Sequence, residues 1–266
     1  MSEISYPQTS RVVTAATGKI IVGIVGESGS GKSFLVHQLA NDPDYGPDEI
    51  LVLMSEDATA SYDAPVHVVK VDSFDDVLNS INELGAMHAK GLRVPKVIFY
   101  DSPSGTGHDE MESYEANPII TKGGARDKLA EYGDFGDRFI RTMRRFQRRC
   151  PSDVIILVTS NEGQGVRPEL ILPGKVAPKN FTSLTSVTLH LKAVSSKVEA
   201  DKGEPPAAAH RTVSKLPEGG YEVINRYFYT QNSGEIHAKG NKNLNIRERA
   251  IIGDVLRAIH GTKETA

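Results

Sequence analysis

Apolar residues fall into short continuous runs separated by polar segments of helical period, which is the pattern of strands covered on both faces alternating with helices. KIIVGIV at 19–25 opens the series, and ILVLMSED from Ile50, VHVVKV from Val66, KVIFYDS from Lys96 and DVIILVTS from Asp153 continue it. SLTSVTLHLK adds a further strand after residue 180. Between the runs, residues 32–40, 73–90 and 125–149 carry helical spacing, and Ser73 stands where a capping serine belongs. This alternation predicts an α/β fold with a mostly parallel, doubly wound sheet. In the last third AAAHRTVSKL and YEVINRYFYT flank the turn signal PEGG, which predicts an antiparallel hairpin added to the sheet edge. An amphipathic helix is expected over 245–260.

Three stretches break the pattern. Residues 102–124 and 163–180 are polar, glycine-bearing and too long for simple connections, and together with 197–206 they are expected to be mobile loops. No composition break divides the chain, so the expected organisation is an arm over 1–18, one domain over 19–260 and a tail over 261–266.

Composition narrows the function classes. With 39% hydrophobic and 24% charged residues in 266, the chain has the make-up of an ordinary folded protein rather than a disordered one. A net charge of −3 gives no global attraction to nucleic acid or anionic membranes, so any such binding requires a local basic patch. The single Cys150 forms no intrachain disulfide, reads as a small packing residue and points to a reducing compartment. No apolar run approaches the ~20 residues of a membrane span, and the polar N-terminus has no apolar signal core, so a cytoplasmic protein without a membrane partner is expected.

The sharpest chemical signal is GESGSGKS at 26–33, set between a strand and a helix. Glycines at this spacing turn backbone N–H groups inward onto a phosphate, and the helix start adds partial positive charge. Gly26, Glu27, Ser28, Gly29, Ser30, Gly31, Lys32, Ser33 and Phe34 are therefore the expected nucleotide-binding residues, with ATP and Mg2+ as the cofactors. Lys32 is expected to reach the β- and γ-phosphates and Ser33 to ligate the metal. Such a loop needs a carboxylate at a neighbouring strand end, and Asp101 closes KVIFYDS. Glu56, with Asp57 as competitor, would orient or deprotonate the attacking water if its strand lies beside the P-loop strand. Thr159, Ser160 and Asn161 end another strand and are candidate γ-phosphate sensors. Helical spacing aligns Arg138, Arg141, Arg145 and Arg148 on one stripe, either a phosphate-neutralising surface or a solvated face or subunit contact. His108 in the first irregular stretch is expected to be solvated.

The order of these features resembles the phage-encoded RecA-like ATPases, including those that act as single-strand annealing proteins, over about residues 19–241. The resemblance rests on the P-loop, Glu56, Asp101-Ser102, Glu131-Tyr132-Gly133 ahead of the arginines, VIILVTS and RPELILPGKVAPKN. It implies a RecA-like P-loop NTPase that hydrolyses ATP, with Glu56 as catalytic glutamate and Asp101 as metal aspartate. It also implies a homo-oligomeric ring or filament on single-stranded DNA, serving recombination or annealing in the cytoplasm of an infected host. The family's Lys-x-Arg pair, which contacts the neighbouring subunit's γ-phosphate, falls on Lys239 in EIHAKGNKN, with Asn241 in place of the arginine and Lys242 nearby. Met54 stands where relatives often carry an aspartate. The two long irregular stretches would face DNA, and Arg167, Lys175 and Lys179 give the second its charge, whereas Asp109, Glu110, Glu112 and Glu115 make the first acidic. Two other functions remain open: a nucleotide or small-molecule kinase, and a nucleotide-switched assembly factor with little hydrolysis.

Overall fold

The computed structural model describes residues 19–55, 65–161, 169–231, 238–240 and 243–261. In chain order its elements are β1 (Ile21–Gly26), α1 (Phe34–Ala40), β2 (Ile50–Met54), β3 (His67–Lys70), α2 (Phe74–Ala89), β4 (Val97–Asp101), α3 (Pro103–Ala116) and α4 (Lys128–Arg149). They continue with β5 (Asp153–Asn161), β6 (Glu169–Leu170), α5 (Val176–Leu184), β7 (Val187–Val198), β8 (Arg211–Lys215), β9 (Tyr221–Tyr229), β10 (Arg247–Arg249) and α6 (Ile252–His260).

One sheet runs β10-β9-β7-β1-β5-β4-β2-β3. From β7 to β3 every pairing is parallel, and β9 turns the extension antiparallel. β8 and β10 share the outer edge of β9, β8 pairing with its first half and β10 with its last three residues. The expected mostly parallel sheet with an antiparallel hairpin extension is therefore the fold observed.

Strand alternation sorts the apolar side chains to two faces. Ile21 and Val25 join Phe74, Phe135, Phe139, Phe146 and Phe181 under α2, α4 and α5, while Val22 and Ile24 join Leu35, Leu39, Val255 and Leu256 under α1 and α6. Each such fully buried side chain contributes about 1.5–3 kcal/mol. Gly23 of β1 keeps the first layer tight, because a Cβ there would sit 2.7 Å from the Phe181 ring of α5.

Several expectations need correction. Residues 102–124 are mostly helical, because Ser102 accepts a hydrogen bond from Gly105 N and Pro103 occupies the first turn of α3. The helix escapes an apolar-period reading because its buried residues include Gly105, Thr106, Gly107 and Glu110. The described part of 163–180 contains β6 and the start of α5 rather than a loop. In 197–206, β7 continues to Val198, paired with Tyr221, and residues 200–202 make one short helical turn. The closing helix is confined to α6, since 247–249 pair with β9 instead. α4 begins at Lys128 behind the capping side chain of Asp127, and α1 begins at Phe34 because the preceding residues form the glycine loop. All four residues of β3 are exposed, as befits an edge strand.

One correction bears on chemistry. β2 does not lie beside β1; β4 and β5 stand between them. The premise that placed Glu56 beside the P-loop strand therefore fails, and Glu56 itself lies outside the described residues.

Candidate functional site

Parallel strands end on a common sheet edge, where ligands of open α/β folds bind. Register places Gly26 level with Thr159, and Asp101 level with Leu157 on one side and Met54 on the other. The glycine loop, the end of β5 and Asp101 thus stand side by side in that order.

Residues 26–33 curl tightly over the end of β1. Ser30 N donates to the Glu27 carbonyl at 3.2 Å, and Gly29 and Gly31 hold φ of +76° and +94°, the left-handed region that favours glycine. Lys32, only 9% exposed, folds back so that its Nζ donates to the carbonyls of Gly26 at 2.9 Å and Glu27 at 2.8 Å. The Ser33 hydroxyl donates to Asp101 Oδ2 at 2.9 Å. A hydroxyl from the start of α1 and a carboxylate from the end of β4 converge as a hard oxygen pair, the donor chemistry that suits magnesium. Beside the loop, Glu27, Ser28, Gly29 and Ser30 face Leu191, Lys192 and Ala193 of β7 across a recess of about 170 Å3.

The Asp101 end is braced from β2. Ser55 N donates to the Asp101 carbonyl at 2.9 Å, Ser55 Oγ donates to the Ser102 carbonyl at 2.8 Å, and Ser102 N donates back to Ser55 Oγ at 3.0 Å. The Asp101–Ser102 peptide is cis. Ser55 thus ties the end of β2 to the turn that follows β4.

Of the strand-end residues of β5, Ser160 is buried and its hydroxyl has no hydrogen-bond partner among the described residues, whereas Asn161 is exposed and pairs with Glu169 of β6. Thr159, level with Gly26, is half-buried, so Ser160 is the buried one of the three. Lys239 is not brought to its own chain's glycine loop. It bridges Thr188 in the main chain, and its ammonium donates to the Thr185 carbonyl at 2.7 Å, beside the start of β7 and hence at the opposite sheet edge.

The arginine stripe divides. Arg138 is a structural cation, bonded to the buried Glu110 of α3 and, at 3.0 Å, to Asp75 of α2, which corrects its expected nucleic-acid role. Glu110 also accepts from Phe74 N at 2.8 Å, so one carboxylate joins three helices. Burial pushes its pKa up against the pull of the Phe74 amide and Arg138. Arg145 is bonded through Nε to Asn82 Oδ1 at 2.9 Å. Arg141, Arg144 and Arg148 are exposed and, with Asp137 and Ile140, line a shallow surface concavity. They lie toward the edge opposite the glycine loop, since α4 ends just before β5 begins. Lys175 and Lys179 are exposed around the start of the neighbouring α5, and Arg167 lies outside the described residues. His108 is exposed beside Glu112, as expected. Cys150 is a core residue whose thiol burial pushes up to about 11.

Arg226 of β9 was not foreseen. It is buried, it packs against Gly31, and its guanidinium carbon lies 5.0 Å from the centre of the Phe34 ring. The available signal was parity: in YEVINRYFYT, Arg226 shares a strand face with Ile224 and the fully buried Phe228. Gln38 was missed as well. It accepts from Ile252 N at 2.7 Å and donates to the carbonyls of Ala209 and Ala250 at 2.9 and 2.8 Å, fastening α1 to the C-terminal segment.

A family model described as AAA domain matches residues 18–241. A search among curated proteins returns no match. Among solved structures, an ATPase from the type III secretion system of pathogenic bacteria is 13% identical with a TM-score of 0.43, over 65% of this chain and 51% of that one. The chain thus spans about half the length of that protein.

Proposed function

The chain belongs to the AAA domain family, and from that premise we propose that it binds ATP with Mg2+ at residues 26–33 and hydrolyses it. The observation that carries the proposal is the 2.9 Å bond from Ser33 Oγ to Asp101 Oδ2, made beside a loop whose lysine is already folded over it. Ser33 and Asp101 would hold the magnesium, which when bound neutralises charge on the β- and γ-phosphates. Lys32 exchanges its two carbonyl partners for phosphate oxygens, and the amides of the loop donate to the same group. Ser160 would donate toward the terminal phosphate, a role supported by its buried hydroxyl, which has no partner among the described residues. Glu56, whose place lies outside the described residues, is the residue assigned to orient the attacking water.

The finer reading is an ATPase that assembles as a ring or filament on single-stranded DNA and promotes recombination or annealing, in a phage-infected host. It is supported by the RecA-like order of motifs and by the exposed Arg141, Arg144 and Arg148 with Lys175 and Lys179 nearby. Lys239, exposed at the sheet edge opposite its own loop, then serves a neighbouring subunit. The test is phosphate release from ATP with Mg2+, with and without single-stranded oligonucleotide. Turnover that Glu56→Gln abolishes supports hydrolysis here, and unchanged turnover in that variant removes Glu56 from the mechanism. Stimulation by the oligonucleotide supports the finer reading, and no DNA binding at low salt removes it. Phosphate transfer to an added nucleoside or nucleotide acceptor instead of water would identify a kinase.

A further inference from the structure

An arginine is seldom buried without a carboxylate, because taking its charge out of water is costly unless an anion or a full set of acceptors replaces the solvent. Arg226 is only 8% exposed. Its Nη1 donates to Thr212 Oγ1 at 2.8 Å and its guanidinium lies over the Phe34 ring, but its Nε, also buried, has no acceptor among the described residues. No carboxylate among the described residues forms an ion pair with it, and burial alone lowers its pKa. The side chain ends against the glycine loop: a methyl group on Gly31 would fall 2.2 Å from Arg226 Nε and 2.9 Å from its Cδ. Gly31 directly precedes Lys32, and Phe34 directly follows Ser33, so the guanidinium is pressed onto the end of the loop, where α1 begins.

The unfilled donor and the uncompensated charge ask for the same thing, an anionic oxygen at residues 31–34. We propose that Arg226 is a phosphate-binding residue acting within its own subunit, its guanidinium donating to the phosphate chain of the nucleotide held by residues 26–33. The inference rests on the P-loop reading above and deepens it. β9 reaches the loop from the β7 side of β1, and Asp101 stands on the β5 side, so the phosphates are held between a metal-binding carboxylate and a guanidinium. The antiparallel extension is thereby part of the nucleotide site and not merely an edge of the sheet. Arginine suits the position better than lysine, since its planar fork can keep Thr212 while its free N–H turns to a phosphate oxygen.

The experiment measures ATP and ADP affinity of the full chain with Mg2+ by calorimetry, well below each melting temperature, for wild type, Arg226→Met, Arg226→Lys and Lys32→Ala. Methionine keeps an apolar stem on Phe34 and removes the charge. Arg226→Met is expected to bind both nucleotides about tenfold to a hundredfold more weakly, the loss typical of a hydrogen bond to a charged group, with Arg226→Lys between it and wild type. Its melting temperature without nucleotide should equal or exceed that of wild type, because a buried unpaired charge has been removed. Wild-type affinity in Arg226→Met overturns the inference, as does an unchanged nucleotide-induced rise in melting temperature alongside a lower nucleotide-free value, which would mark an architectural arginine. If Lys32→Ala still loses affinity in those cases, the P-loop reading survives; if wild type binds no nucleotide, both fall together.

Discussion

The Ser33 hydroxyl and the Asp101 carboxylate are 68 residues apart in sequence and 2.9 Å apart in space. Both were legible from the sequence, because a glycine loop between strand and helix requires a partner carboxylate at a strand end, and KVIFYDS supplies one. Asp101→Asn keeps the shape and removes the charge, so Mg2+-dependent ATP turnover should fall about a hundredfold or more, while ATP binding in EDTA stays within about threefold. Steady-state turnover set beside calorimetry checks this, and wild-type turnover in the variant would remove Asp101 from the metal site. Arg138 and Arg226 were not legible at this scale, because a guanidinium's role is set by what meets it from distant elements: Asp75 and Glu110 for one, Gly31 and Phe34 for the other. Arg138→Ala strands the buried Glu110, so it should lower the free energy of unfolding by about 3 kcal/mol or more, whereas exposed Arg141→Ala should cost under about 0.5 kcal/mol. Urea unfolding of the two variants checks the contrast, and equal losses would contradict it.

At the scale of elements, β1, β2, β4 and β5 were read well because each is a largely apolar run buried on both faces. α3 was missed for the converse reason: it is held by a serine cap, a buried 2.8 Å hydrogen bond from Tyr100 of β4 to Thr106, and the buried Glu110, none of which appears as apolar periodicity. α4 was read as a helix, but only half of its arginine stripe is available to a partner. Replacing Arg141, Arg144 and Arg148 together by glutamate should therefore weaken single-stranded DNA binding at least tenfold at low salt, leaving turnover without DNA unchanged. Fluorescence anisotropy with a labelled oligonucleotide reads this directly, and undiminished binding would place the DNA surface elsewhere.

Across the whole molecule, the C-terminal segment closes over the nucleotide-binding half. α6 is fastened to α1 through Gln38, to residues 42 and 44 through Arg257, and to the start of β5 through His260, whose Nε2 lies 2.8 Å from Asp153 Oδ2. The hydrogen bond to Asp153 raises the His260 pKa above its ordinary 6.5, with burial opposing it. A raised folded-state pKa stabilises the fold fully below about pH 6.5, and that contribution is lost as pH climbs through the folded value. The stability difference between wild type and His260→Gln should therefore be greatest near about pH 6 and shrink toward about pH 9. Urea unfolding across that range tests the sign, and a difference growing with pH would contradict it. Little of this closure was legible, since it depends on single polar residues reaching between chain ends: Gln38 and Ile252 are 214 positions apart.

The central claim is that residues 26–33, with Lys32 at their heart, surround the terminal phosphates of a triphosphate. Titration calorimetry of ATP with Mg2+ into wild type and Lys32→Ala tests it most directly. Saturable binding at one site per chain in wild type, weakened about tenfold or more in the variant, is the predicted result; equal affinity in the two proteins, or none in wild type, would contradict it.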